Sequence, residues 1–176
     1  NTIGNVLTGI QTTTQYAAGN GSITGNIVNA EYGISLQNTG NAVSGNIVNA
    51  AIEGVGLLQG ENSFSGNTFT IGAGGDALNL YGSALAADMT GGDNIVTIAG
   101  GGLQGAVDLA LDNGTVNVGD GTYAEDVLVS TVRTLRFGAV SVDGLTLAAG
   151  AAGSGVSGDV TSPGDLAFAG DVTLLG

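Results

Sequence analysis

The sequence predicts an all-β chain wound as a right-handed parallel β-helix (a β-solenoid), with three short strands in each coil and a coil-to-coil step of about 20–21 in sequence number. Three observations predict it. The dipeptide Gly-Asn recurs at Gly4-Asn5, Gly25-Asn26, Gly45-Asn46 and Gly66-Asn67, at steps of 21, 20 and 21. A second column keeps the same step, from Gly33-Ile34-Ser35-Leu36 through Gly54-Val55-Gly56-Leu57 to Gly75-Asp76-Ala77-Leu78. The repeats are dense in Gly, Asn, Thr, Val and Ile, which form helices poorly. Alternations such as Ser22-Ile23-Thr24 suit short strands instead.

A period near 21 also admits leucine-rich and helical repeats. Residue type excludes the helical ones, and the L-x-x-L-x-L pattern is missing. What remains is a stack of coils in which each strand pairs with its equivalent one turn along, at ~4.8 Å.

The columns then acquire roles. Ile23, Val43 and Phe64, two before each Gly-Asn, are placed inside. So are Leu7, Val28, Val48 and Phe69, two after each Asn. Asn5, Asn26, Asn46 and Asn67 are expected to form a side-chain ladder at a turn, since Asn bonds to turn backbone and tolerates left-handed φ. Asn serves such turns routinely, so the ladder is read as structural rather than as a binding site. Val6, Ile27 and Ile47 follow the Asn directly and should face outward. Either the in/out register is different at this turn, or these residues form a lateral contact stripe covered by a flanking segment or a neighbouring molecule.

Composition bounds the partners. Hydrophobic residues make up 43% of the chain, enough for a sizeable core. The 34 Gly follow no G-X-Y period, which excludes collagen. Fifteen acids against two bases, Arg133 and Arg136, give a net charge of −13. That argues against nucleic acid and anionic membrane surfaces, which need Lys and Arg. No apolar run reaches membrane-spanning length or has the build of a signal peptide. Without Cys there is no disulfide, zinc-thiolate or thiol chemistry. Asn1 rather than Met stands first, so an internal fragment or processed product is expected.

Positions 1–98 are read as coils with Gly-Asn repeats, 99–112 as a junction, and 113–176 as continuing coils of lower regularity. In the junction Leu103, Ala106, Val107, Ala110 and Leu111 fall on one helical face, as a short helix or a covered loop. Beyond it strands are expected at 115–118, 127–129, 134–137, 140–142, 145–147, 159–161, 166–168 and 172–174. Val116 to Leu135 is a step of 19 and Val140 to Val160 a step of 20, so coils of similar size continue, as one rod or as two joined near 99–112.

Two stretches resemble known families. Gly114, Thr115, Val116, Val118, Gly121, Thr122, Tyr123, Glu125 and Val127 resemble the opening coil of pectin-methylesterase-like and other pectate-lyase-like β-helices, in which a short helix leads in. The likeness speaks to fold and not to activity. The Ser162-Pro163-Gly164-Asp165-Leu166 stretch, followed by Gly170-Asp171-Val172-Thr173-Leu174, is similar to repeats of large bacterial autotransporter-like and filamentous surface proteins. That resemblance implies an extracellular or cell-surface adhesin or fibre. Strand backbone exposed at the rod ends predicts self-association end to end, with lateral contact along Val6, Ile27 and Ile47 as the alternative and surface glycans as a further partner.

Catalysis finds little support. His is absent, which excludes His-based triads and imidazole ligands. Pectate-lyase relatives imply an Arg or Lys base beside acidic calcium ligands, and only Arg133 and Arg136 could serve, on opposite strand faces. Esterase relatives imply paired Asp with Arg and Gln, and no such motif is seen. The chain is therefore expected to be structural or adhesive and not an enzyme, with a polysaccharide-active or carbohydrate-binding β-helix as the alternative. No cofactor is expected beyond weak calcium at turn carboxylates such as Asp120, Asp76 and Asp93. Tyr16, Tyr32, Tyr81 and Tyr123 share no period, so no sugar-stacking platform is expected.

Overall fold

The computed structural model describes residues 1–12, 20–82, 84–168 and 173–175. Tyr16 and 170–172 lie outside these. The N-terminal coils carry β1 (Thr2–Thr12), β2 (Ser22–Thr24), β3 (Ile27–Leu36), β4 (Ala42–Ser44), β5 (Ile47–Leu57) and β6 (Ser63–Ser65). Next come β7 (Thr68–Ile71), β8 (Asp76–Leu80), β9 (Thr90–Gly92), β10 (Ile95–Ile98) and the helix α1 (Leu103–Ala110). The remainder is β11 (Thr115–Val118), β12 (Gly121–Val129), β13 (Thr134–Leu147), β14 (Gly155–Thr161), β15 (Leu166–Phe168) and β16 (Thr173–Leu175).

All described strand pairs are parallel, and the sheets stack into a solenoid of about 8 turns. One sheet runs β1-β3-β5-β7-β10-β11-β13-β14-β16, and a second runs β2-β4-β6-β9. β3 and β5 each bend, with a register shift after Ala30, so that each supplies two faces of the coil. Residues 22–24, 27–30 and 32–36 are therefore three short strands of one coil. We call the 27–30 side, with its equivalents 47–50, 68–71, 95–98, 115–118 and 134–137, face A. The 32–36 side, with 53–57 and 76–80, is face B.

Face A runs unbroken from one end to the other, so the chain is one rod rather than two. Its pairing Ile27↔Ile47↔Thr68 advances by 20 and then 21 in sequence number, and Thr115↔Thr134 by 19. Past the first coil, only the step from Thr68 to Ile95 is long, at 27, because that coil carries an extra 3₁₀ turn at Ala86–Asp88. Inside face A, Val28, Val48, Phe69, Val96, Val116, Leu135 and Val156 stand over one another in register, all buried. Each is worth ~1.5–3 kcal/mol of burial. Like on like fills the core because every coil presents the same cross-section.

The first coil departs from the expected register. Thr2 pairs with Ile27 and Ile3 with Val28, so Asn1, not Asn5, stands over Asn26. Gly4-Asn5 falls at a bulge instead, with Asn5 at φ 56°. Leu7, expected inside, is 64% exposed in consequence. The cause is a step of 25 from Thr2 to Ile27, which the accidental Gly4-Asn5 match conceals.

The Gly before each of Asn26, Asn46 and Asn67 takes the left-handed turn, at φ 64°, 60° and 61° for Gly25, Gly45 and Gly66. A Cβ there would meet nothing, so backbone strain alone selects Gly. The Asn is thereby free for a different task.

α1 packs between β8 and β12, where a face-B strand would otherwise lie. Its two turns are too few for a helix stable on its own. Its N-terminus is held from the next coil. Glu125 accepts from Leu103 N at 2.5 Å and from Gln104 N at 3.1 Å. The Glu of the G-T-Y-x-E-x-V stretch thus caps the helix that precedes it. Gln104 in turn stands in for a missing strand, because its amide donates to Leu128 O at 3.1 Å and accepts from Leu128 N at 2.7 Å. Glu125→Ala is expected to lose ~1–2 kcal/mol through the lost cap, and Glu125→Gln, which keeps the acceptor, less than half of that. Urea midpoints of the two variants check the order.

Candidate functional site

The Asn ladder is an internal hydrogen-bonded column. Asn26, Asn46 and Asn67 each donate Nδ2 to Oδ1 of the ladder Asn one coil on, at 3.0, 2.9 and 2.9 Å. The same Oδ1 also accepts the preceding Asn's backbone N–H, at 2.9, 3.0 and 3.0 Å. Nδ2 of Asn46 and Asn67 further reaches back to Ile23 O and Val43 O. Its last member is Asn94, which the loosened sequence repeat hides, and Asn5 is outside it.

A second ladder, missed in the sequence, sits at the other end of the short strands. Asn62 Oδ1 accepts from Asn41 N at 3.0 Å and from Asn41 Nδ2 at 2.9 Å. The signal was present, as Asn41 and Asn62 keep the step of 21 and each stands one position before a short strand. Among the described residues no enclosed side-chain nitrogen or oxygen lacks a partner. Both ladders are internally hydrogen-bonded columns.

The outward side of face A is the candidate interaction surface. One column is Ile27, Ile47, Thr68, Ile95, Thr115 and Thr134. Beside it runs Asn29, Asn49, Thr70, Thr97, Asn117 and Arg136. Ile27, Ile47 and Ile95 are 41%, 45% and 42% exposed. The outward placing of Ile27 and Ile47 is observed, but Val6 leaves the stripe, since it pairs with Ala30. Asn49 donates to Asn29 at 2.8 Å and Asn117 to Thr97 at 3.1 Å, so the polar column is held in place on the surface. Neither column contains an acid, although the chain has 15. At the bend beside face A lies an open groove of about 670 Å³ that crosses four coils, with Val6, Leu7 and Ile71 among its walls.

On face B, Glu53 is buried and paired in register with Tyr32 and Asp76. Its carboxylate accepts from Tyr81 OH at 2.6 Å and from Asn79 Nδ2 at 2.8 Å. The bond to Glu53, then burial, pushes the Tyr81 phenol up to about 12. Tyr81 is thus tied to a carboxylate from the neighbouring coil, 28 positions away in sequence. Tyr123, by contrast, is buried with its OH on Gly119 O.

Two of the three candidate turn carboxylates have backbone partners. Asp120 accepts from Ala139 N, and Asp76 from Gly102 N. Among the described residues no three potential metal-ligating acids come together. Of the two cations, Arg136 is exposed on face A and Arg133 is buried in the ladder column, its N–H donated to Ser154 Oγ at 3.1 Å.

Compared with known protein families, with curated proteins and with solved structures, the chain finds no match.

Proposed function

We propose that this chain is a structural or adhesive rod of an extracellular surface protein or fibre, and that copies associate laterally through face A. The observation that carries this is the pair of columns free of acids in a chain of net charge −13. Two such rods repel through most of their surface. Along face A the only charged side chain of the two columns is Arg136, and the exposed Ile27, Ile47 and Ile95 would be covered by contact. A second copy also carries the same ~4.8 Å spacing between coils, so two rods aligned at one coil stay aligned along their length. The likeness of 162–166 to repeats of filamentous surface proteins agrees with this reading.

Sedimentation against protein concentration tests it. Association is expected to strengthen as salt screens the acidic flanks. Ile47→Glu with Ile95→Glu, both at exposed positions, is expected to leave a folded monomer. A wild-type chain that stays monomeric at its solubility limit in high salt sinks the proposal.

A further inference from the structure

A second cavity, of about 330 Å³, opens where α1 ends, away from face A. That is at the small end of the ~300–1,000 Å³ range of ligand pockets. Its walls combine three ionisable groups with an apolar floor. Arg133 is 5% exposed. Its Nε donates to Val107 O at 2.7 Å and its Nη1 to Thr131 O at 3.2 Å and to Thr131 Oγ1. Among the described residues nothing accepts from Nη2. Arg133 is among the residues that line the cavity. Asp108 and Asp112 line it too, and one oxygen of Asp108 is held by Gln104 Nε2 at 2.8 Å. Met89 and Leu111, both buried, supply the apolar part.

These groups disfavour an anion and oppose a cation only in part. An anion that met the Arg133 guanidinium would also meet two carboxylates, in a chain already at −13. A cation held by the carboxylates would meet the guanidinium. A hydroxyl group suits both kinds of group, since it can accept from a guanidinium N–H and donate to a carboxylate oxygen. A sugar ring carries several such hydroxyls and an apolar C–H face for Met89 and Leu111. We infer that this cavity is a binding site for a neutral saccharide residue, with Arg133 as the donor and Asp108 and Asp112 as the acceptors. Burial raises the Asp108 carboxyl above its ordinary range, while Gln104 and Arg133 act the other way.

The site goes beyond the lateral-assembly reading and does not depend on it. It is tested on dilute chain by following the guanidinium Nε–H signals. There are only two arginines, and Arg136→Lys assigns the signal of Arg133. The probes are glucose, galactose, mannose and N-acetylglucosamine, with galacturonate, glucosamine and inorganic phosphate for comparison. At least one neutral sugar is expected to shift the Arg133 signal saturably, with a Kd of ~1–10 mM, and to leave Arg136 in place. Asp112→Asn, at an exposed position, is expected to weaken that sugar about tenfold. Ala87→Phe, which fills the mouth, is expected to abolish binding. The inference is overturned if no neutral sugar shifts Arg133 by ~50 mM, if a charged probe shifts it at lower concentration than every neutral one, or if Asp112→Asn changes nothing.

Discussion

Asn67→Ala is expected to lower stability by ~3–5 kcal/mol, while Asn5→Ala changes it by less than ~0.5 kcal/mol. Both residues follow a Gly, and both belong to the same sequence repeat. Only Asn67 is in the ladder. Its side chain is fully buried and engages four groups: it donates to Val43 O and Asn94 Oδ1, and it accepts from Asn46 N and Asn46 Nδ2. Truncation strands Asn46 N–H and Val43 O in a place water does not reach. A buried polar group left alone costs ~1–3 kcal/mol, and here at least two are affected. Solenoid coils are stabilised mainly by their neighbours, so the loss falls on the contacts of the Asn67 coil with those of Asn46 and Asn94. Urea midpoints and amide exchange of Asn46 N–H are the measurements. If Asn5→Ala and Asn67→Ala prove equal, the ladder geometry is wrong.

The parts of the fold that were legible in the sequence are those where neighbouring coils have equal length. Ile27, Ile47 and Thr68 follow one another at steps of 20 and 21, and there the core, the outward column and the ladder all keep to the repeat. Where a coil changes length the repeat misleads. The first step, of 25, moved Asn5, Val6 and Leu7 out of register. The step of 27 hid Asn94, whose preceding turn residue is Asp93 at φ 57° instead of Gly. Coil length is set by insertions at turns, and insertions carry no hydrophobic period to count. The helix was legible as a spacing of apolar residues, but its caps were not, because Glu125 and Asp76 reach it from other coils. For the same reason the Arg133 cavity could not be read from spacing. Asp108, Asp112 and Arg133 come from the end of α1 and from the turn below, and only stacking makes them neighbours.

Extending the Asn ladder one coil past Asn94 is expected to damage the protein. Gly114 follows Asn94 in the ladder column, and a repeat-based design would place Asn there. Gly114→Asn is expected to cost more than ~4 kcal/mol, a magnitude reserved for steric or buried-polar disasters. A Cβ at 114 would lie 2.1 Å from Ala110 O and 2.8 Å from Asn94 O, both backbone atoms that cannot swing aside. The column is already full. Asn94 Nδ2 donates to Leu109 O at 3.2 Å and Ala110 O at 3.5 Å, so the last carbonyls of α1 occupy the place of the next amide. The helix therefore terminates the ladder by substituting its own unpaired C-terminal carbonyls for an Asn. Below it the column resumes in a reduced form, with Ser154 Oγ taking Arg133 N–H. Gly114→Ala should be almost as harmful as Gly114→Asn, because the clash begins at Cβ. Thermal melts of both variants separate this from a loss of hydrogen bonding. A Gly114→Asn chain as stable as wild type would mean that α1 can withdraw from the column, and that the rod accepts an unbroken ladder in its place.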